Sequence, residues 1–407
     1  MFAFINTNAP FRNLELKGDS IFYLLSLRRH ARVLASATTV CWRRKYFPPS
    51  DKYPERWTVA GQSFRFMLSV LQTSTSLHTL QLAHVEVKPS HQRSILSIPT
   101  LKELILIVSF FVPTAIEMPV SSVTSLSLPS TSHQPSAIGH TMGLLRTTLE
   151  TLGVTGVPKN FPLILETVQL PRLTCLKWWL TDPSRLTMFT PRTSGTITKL
   201  CITTAYFPRP LGVSDNIFPQ LCELFSPWWI GIQLVPGRPV QVFYDTKMPA
   251  VMLGDLQTHL AALSQSTRGV KELHLYTLLS MPCLLEHVAT HVPQIQRLHI
   301  WTRPEFLMPG NLKSQQTSIE GTLNALREIH ITLAGPWHNR ETPLVRLSTC
   351  SILSAMRLWI CPVLEVGTIS TARTFDRDAY SRLKGEFSSE QKFTLRRRHT
   401  GEWEELM

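Results

Sequence analysis

The strongest constraint on this chain is a short apolar pattern that returns at a nearly fixed interval. The segment VKELHLY (270–276) is followed 25 residues later by IQRLHIW (295–301), and both carry apolar residues at their first, fourth and sixth positions. Successive first positions lie 24, 22, 26, 24, 24, 24, 49, 25 and 31 residues apart, with a less regular segment around Val240. These first positions are Leu77, Leu101, Val123, Leu149, Leu173, Ile197, Leu221, Val270, Ile295 and Leu326.

A period of roughly 20–29 residues with this apolar signature is typical of leucine-rich repeats. The later apolar positions alternate with polar ones, as in a strand with one buried face. No single repeat can bury its apolar face alone, so the repeats must stack. The sequence therefore predicts an irregular α/β leucine-rich-repeat solenoid, with a parallel sheet on the concave side and helices and loops on the convex side.

The segments between the patterns predict the remaining elements. Apolar residues at helical spacing predict a helix at 64–71, and paired prolines with alternating charges predict a loop over 43–57. A last strand is predicted at 356–360. Four convex helices are predicted, at 140–148, 249–266, 279–291 and 318–326.

These elements divide the chain into three predicted regions. Residues 1–60 are expected to be an N-terminal cap or remnant, residues 61–365 the solenoid, and residues 366–407 a charged C-terminal cap or tail. The seven cysteines form no C-x-x-C pair, which favours reduced thiols and a cytoplasmic or nuclear location. The most apolar run, 104–116, is too short and too interrupted to predict a membrane span.

Three histidines occupy the same outward position of successive patterns: His274, His299 and His330. If the strands stack in register, their imidazoles form a ladder with steps of about 4.8 Å. Charged residues stand two positions earlier, at Glu272, Arg297 and Glu328. Two positions later the chain carries Tyr276, Trp301 and Thr332.

The concave face is therefore the candidate protein-binding surface, because solenoids use that face and because Tyr, Trp and Arg anchor interfaces. Lys177 and Trp179 form an analogous exposed pair in an earlier repeat, where Trp178 is expected to point inward. A plainer interpretation is that sequence variation between the repeats has placed polar residues on an exposed strand face, without any role in binding. The candidate residues are Lys177, Trp179, Glu272, His274, Tyr276, Arg297, His299, Trp301, Glu328 and His330.

Neither a metal site nor an active site is predicted. No cysteine or carboxylate stands in obvious reach of the histidine ladder, and His287 with His291 on one helical face cannot complete a zinc site. Phosphate-binding glycine loops, nucleophile elbows and metalloprotease motifs are missing from the sequence. We therefore expect a non-enzymatic protein without a cofactor.

Two segments carry a family resemblance. FRNLELKG with IFYLLSLRRHARVLAS (11–36) and FPQLCELFSPWWIGIQLVPGRPVQ (218–241) resemble the fungal, mushroom-type F-box proteins with divergent leucine-rich repeats. The resemblance implies a substrate receptor whose F-box holds the Skp-type adaptor of a cullin-RING ubiquitin ligase. Only ten residues precede Phe11, so we expect either a shortened chain or the loss of the adaptor-binding module.

The leading hypothesis is thus an interaction scaffold, the substrate-recognition part of such a receptor, which binds a protein on its concave face. The alternative is a basic scaffold associated with nucleic acid, since the formal charge is +13. Against that alternative, the outward positions mix Lys177, Lys199 and Arg297 with four glutamates, at 103, 223, 272 and 328. A groove of mixed sign is a poor match for a polyanion.

Overall fold

A computed structural model gives the arrangement of the chain, which divides into two compact units. The first comprises Met1–Thr181 with Met188–Ile197, and the second comprises Asp182–Thr187 with Thr198–Met407. The structure describes residues 13–17, 31–43, 54–128, 135–156, 160–180, 182–204, 211–246, 253–277, 279, 281–302, 323–334, 363–372, 389–397 and 403–406.

The first unit is a parallel sheet whose strands follow one another in chain order, apart from a separate parallel pair. The strands of the main sheet are β1 (Asn13–Lys17), β2 (Thr39–Arg43), β3 (Thr79–Ala83), β5 (Glu103–Ile107), β7 (Ser125–Leu128), β8 (Thr151–Thr155) and β9 (Cys175–Leu180). The separate pair is β4 (Glu86–Val87) with β6 (Phe110–Phe111). The helices are α1 (Ala31–Ser36), α2 (Pro54–Leu71), α3 (Pro89–Leu96), α4 (Pro135–Leu144), α5 (Phe161–Val168) and α6 (Pro191–Ser194).

The second unit repeats the same plan and ends on two antiparallel strands. Its parallel strands are β10 (Lys199–Thr204), β11 (Glu223–Ser226), β12 (Val242–Asp245), β13 (Glu272–Tyr276), β14 (Arg297–Thr302), β15 (Glu328–Ala334) and β16 (Val366–Ala372). The antiparallel strands are β17 (Ser389–Arg397) and β18 (Trp403–Leu406). Its helices are α7 (Trp228–Leu234), α8 (Leu253–Ser264) and α9 (Met281–His291). A 3₁₀ helix forms at Pro183–Met188.

A ladder of shared carbonyls sets the register inside each unit. The carbonyl of the residue just before a strand accepts hydrogen bonds from two successive amides of the next repeat. Lys271 O, for example, accepts from Gln296 N at 2.8 Å and from Arg297 N at 3.0 Å. The same bifurcated pair forms at Gln241 and Gln296 in the second unit and at His78 and Lys102 in the first. Each strand therefore begins opposite its predecessor.

The sequence pattern marks these strands correctly. All ten predicted first positions are buried, and a strand begins two residues after each of them. The segment around Val240, which broke the period, is itself a repeat: Val240 is fully buried and β12 begins at Val242. It lies 19 residues after Leu221 and 30 before Val270, so the 49-residue interval contains one short and one long repeat. The predicted solenoid architecture is confirmed in each unit.

Several predicted helices, loops and strands differ in their bounds from those of the structure. Three of the four predicted helices form, with shifted ends, as α4, α8 and α9. Residues 318–322 of the fourth lie outside the described residues, and its described residues, 323–326, form a turn rather than a helix. The predicted loop over 43–57 is wrong at its end, since α2 already begins at Pro54. Proline fits the first turn of a helix because that turn has no use for its missing amide hydrogen. The strand predicted at 356–360 also lies outside the described residues.

Two further observations concern the whole described chain. Its five described cysteines, at positions 41, 175, 201, 222 and 283, are all free thiols. Among the helices of the described residues, none combines the length and apolarity needed to cross a membrane.

The short and long repeats of the second unit pack tightly against each other, through Gly231 of the short repeat and Phe243 of the long one. Phe243 is fully buried, and a Cβ added at Gly231 of α7 would lie 2.5 Å from its Cε2. His259 of α8 packs edge-on against Phe243, with ring centroids 4.8 Å apart. Both ring nitrogens of His259 are buried without a hydrogen-bond partner among the described residues, and burial lowers the pKa of this histidine to about 3.

The packing at Gly231 yields a stability prediction. Gly231→Ala should lower the free energy of unfolding by about 1–3 kcal/mol, because the new methyl group overlaps the Phe243 ring. Gly143→Ala is the matched control, since Gly143 is also helical and no atom lies within 4 Å of its added Cβ. That control should gain about 0.5–1 kcal/mol from reduced backbone entropy. Urea unfolding followed by circular dichroism measures both; equal changes would contradict the packing described here.

His259 yields a prediction for pH. Its folded-state pKa is about 3, below the ordinary 6.5, so below pH 6.5 the unfolded chain binds the proton that the folded chain excludes. Stability contributed by neutral His259 is therefore complete above pH 6.5 and falls on acidification by up to about 1.4 kcal/mol per pH unit. In His259→Leu, the slope of unfolding free energy between pH 7 and pH 5 should be shallower by about 1 kcal/mol per pH unit, because the unfolded-state pKa lies within that range. Parallel slopes in wild type and variant would refute the assignment.

Candidate functional site

Strand alternation in β13, β14 and β15 decides which side chains face outward. Leu273, Leu275, Leu298 and Ile300 are buried, so the residues between them point away from the helices. The register pairs His274 with His299 and His299 with His330. The predicted histidine ladder is thus present in the fold.

The three imidazoles stack face to face. The His274 and His299 ring centroids lie 3.8 Å apart with planes 6° from parallel, and those of His299 and His330 lie 4.3 Å apart at 15°. These steps are shorter than the predicted 4.8 Å, which is the spacing of the backbones rather than of the rings. The side chains lean together until their rings reach van der Waals contact.

The stack continues beyond the histidines. Tyr244 of β12 stacks on His274 with a centroid distance of 4.4 Å, and Phe225 of β11 lies 5.3 Å from Tyr244. Lys199 Nζ stands 4.7 Å from the centroid of the Phe225 ring. We call these five rings, Phe225, Tyr244, His274, His299 and His330, the ring column.

Sequence reasoning missed the first two members of the ring column, although a signal existed. Each of the five rings stands four residues after a repeat's first position, and Val240 is the first position for Tyr244. The segment around Val240 departs from the 24-residue period, so the sequence pattern alone does not align its tyrosine with the histidines.

A row of charged residues, interrupted by Val242 of β12, runs beside the ring column. Lys199 Nζ lies 2.6 Å from Glu223 Oε2, and Arg297 donates to Glu272 Oε2 across β13 and β14. Glu272 Oε1 accepts from His274 Nε2 at 2.8 Å and lies 3.8 Å from His299 Nε2. Glu272 is therefore the centre of the row, with one oxygen held by the guanidinium and the other directed at the imidazoles.

The ionisation of these groups follows from their surroundings. The hydrogen bond from His274 holds the pKa of Glu272 below its ordinary value, against the opposing effect of burial. Burial lowers the pKa of His274, and burial with the neighbouring histidines lowers that of His299 to about 2. Neutral imidazoles can stack closely because they do not repel one another.

The row formed by Tyr276, Trp301 and Thr332 is less uniform in exposure than the sequence predicts. The register pairs Tyr276 with Trp301 and Trp301 with Thr332, as expected. Tyr276 is only 7% exposed, whereas Trp301 is half-buried and retains outward surface. We call the outward set Glu272, His274, Arg297, His299, Trp301, Glu328 and His330 the imidazole face.

Lys177 and Trp179 lie on β9 of the first unit and are not members of the imidazole face. The predicted division of the tandem tryptophans is confirmed, since Trp178 is 2% and Trp179 40% exposed.

The structure corrects one premise about metal ligands. A carboxylate does stand within reach of the histidine ladder: oxygen and nitrogen atoms of Glu272, His274 and His299 lie within 4.8 Å of one another. The premise failed because Glu272 and His274, two residues apart on one strand, share a face. His287 and His291 of α9 belong to no such three-residue group among the described residues.

Comparisons with known proteins do not assign this chain to a family. No protein-family model and no curated protein matches the chain. Among solved structures, the chain is similar to a crystal structure of a TLR13–ssRNA13 complex, at 14% identity and a TM-score of 0.30. The match covers 86% of this chain and 45% of that chain, so this chain spans under half of its length. The fold class, an α/β leucine-rich-repeat solenoid, follows from the strand order and register described above.

Neighbouring residues of β14 provide a test of what stabilises the imidazole face. Arg297→Ala should cost less than about 1 kcal/mol of unfolding free energy, because the Arg297 side chain is 51% exposed, and this cost should shrink in high salt. Leu298→Ala should cost about 2–5 kcal/mol, because Leu298 is fully buried. Urea unfolding at low and high salt measures both. Losses of similar size would show that the ion pair, rather than the buried leucines, holds the strands together.

Proposed function

We propose that this chain is a non-enzymatic repeat scaffold that binds a protein partner on the imidazole face. The observation that carries the proposal is the ring column itself. Five aromatic rings from five successive strands stand in continuous contact on the side of the sheet opposite its buried leucines.

The imidazole face has the physical properties of a preorganised interface. Stacking and the hydrogen bond from His274 to Glu272 order the rings before any partner arrives, which reduces the side-chain ordering that binding requires. Trp301 and Arg297 supply residue types that carry most of the binding energy in protein interfaces. Arg297 and Glu328 keep much of their surface, with side chains 51% and 42% exposed, and offer charged contacts at the rim.

We further propose that the scaffold is the substrate-recognition part of an F-box/leucine-rich-repeat ubiquitin-ligase receptor. This finer proposal is supported by the resemblance of residues 11–36 and 218–241 to such receptors. In the second of these segments, Arg238 is buried and donates to the carbonyls of Ile217 and Ser214, at 2.8 Å each. Arg238 of the LVPGRPV motif thus has a structural role, because it joins its own repeat to the end of the preceding one.

A mixed charge pattern favours a protein over nucleic acid as the partner. Arg297 on the imidazole face is paired with Glu272, and Lys199 beside the ring column is paired with Glu223. Nucleic-acid binding depends on unneutralised basic groups that displace counterions from phosphates. An association that disappears on nuclease treatment and weakens steeply between about 50 and 200 mM salt would instead support the basic-scaffold alternative.

The proposal predicts that substitutions on the imidazole face reduce the binding of a protein partner. A tagged full-length chain is used to capture proteins from a eukaryotic extract, beside a bait carrying Arg297→Ala, His299→Ala and Trp301→Ala. At least one partner should fall about tenfold or more with this bait, because loss of hot-spot residues costs about 2 kcal/mol or more. Quantitative mass spectrometry measures the change.

The matched control bait carries Lys177→Ala and Trp179→Ala on β9 of the first unit. Partners of the imidazole face should be retained by it. Equal partner lists from all three baits would refute the binding face. Skp-type adaptor and cullin captured by every bait would support the ligase role, and their absence would refute that role while leaving the scaffold proposal intact.

A further inference from the structure

The cluster at the centre of the charge row presents three metal-ligating atoms. Glu272 Oε1 lies 2.8 Å from His274 Nε2 and 3.8 Å from His299 Nε2. All three residues keep some exposure, with side chains 14–25% accessible, so a small ion can reach them from solvent. Among the described residues, no other group of at least three His, Cys, Asp or Glu brings its donor atoms this close.

The backbone and one neighbour hold these donors in place. Glu272 and His274 are two residues apart on β13, and His299 is the registered partner of His274 on β14. Arg297 donates to Glu272 Oε2, which fixes the carboxylate and leaves Oε1 directed at the imidazoles. Ligating carboxylates in metal sites are commonly held by outer hydrogen bonds of this kind.

We propose that Glu272, His274 and His299 bind one divalent first-row transition-metal ion, with Zn²⁺ as the representative. Two imidazole nitrogens and one carboxylate oxygen are a ligand set that Zn²⁺ adopts in sites with an open position, and imidazole also suits Cu²⁺ and Ni²⁺. The remaining coordination position is open to water. This proposal stands independently of the protein-binding role.

Binding requires one ring to leave the ring column. An imidazole nitrogen directs its lone pair in the ring plane, so rings stacked within 6° of parallel cannot both point at one ion. His299 is the ring that rotates, because it is the more exposed of the two and its Nε2 is the more distant from Glu272. The ion therefore replaces the stacking of His299 on both His274 and His330. It also replaces the hydrogen bond from His274 Nε2 to Glu272 Oε1, so the proton of His274 moves to Nδ1 and leaves Nε2 free to bind the ion.

The test uses the full chain with its affinity tag removed, titrated with ZnCl₂ in a calorimeter and by competition with a chromophoric chelator. Wild type should bind one equivalent. Glu272→Gln, His274→Ala and His299→Ala should each weaken binding by more than about 100-fold, beyond the range for loss of an outer-shell partner. The matched control is the double variant His287→Ala and His291→Ala on α9, which should bind Zn²⁺ as wild type does.

Circular dichroism and the urea midpoint establish that each variant is folded, and His299→Gln replaces His299→Ala if that variant is not. With ¹⁵N-labelled histidine, Zn²⁺ should shift the Nε2 resonances of His274 and His299 and leave the nitrogens of His287 unchanged. The proposal is overturned if wild type binds no Zn²⁺ more tightly than the site variants do. It is equally overturned if affinity is lost only in the α9 double variant.

Discussion

The bifurcated carbonyl hydrogen bond between repeats is the constraint on which the rest of the structure depends. Before most of the described parallel strands, the last carbonyl accepts two amides from the following repeat, as Gln241 does from Lys271 and Glu272. A bond of this kind allows no slip by one residue, and a slip would move every leucine of the strand to the outward face. Repeats of 19 and 30 residues therefore stack with the same register as repeats of 24.

Because the register is constant, residues at the same position of successive repeats lie side by side in a column across the sheet. Side chains of similar type at one position therefore contact one another along that column. In the repeats that begin at Leu221, Val240, Val270, Ile295 and Leu326, the fourth residue after the first position belongs to the ring column. In the same repeats, except the one that begins at Val240, the second residue after the first position is charged. Glu272 links the two, since its carboxylate contacts both Arg297 in the charge row and His274 in the ring column. Because Glu272, Arg297 and His274 bind one another, the side chains of the outward face are held in place without a partner molecule.

Much of this could be predicted from the sequence, because both the buried leucines and the outward histidines follow the strand period. The contacts of Glu272 could not be, since the pattern gives the face of a residue but not the direction of its side chain. Tyr244 was missed because it belongs to the repeat after the short 19-residue interval, and only the observed register restores its alignment. The start of α2 at Pro54 was missed because proline was interpreted solely as a helix breaker.

The antiparallel pair at the end of the second unit has a consequence for self-association. A parallel sheet ending at β16 would offer its edge amides and carbonyls to another chain, and growth by strand addition could continue without limit. Pairing with β17 occupies that edge, and the register places Arg396 opposite Glu404 on β18. The outermost described strand, β18, has only four residues, and short edge strands are poor templates for further pairing. Within the described residues, the same backbone pairing that builds the sheet therefore also covers the edge that β16 would otherwise expose.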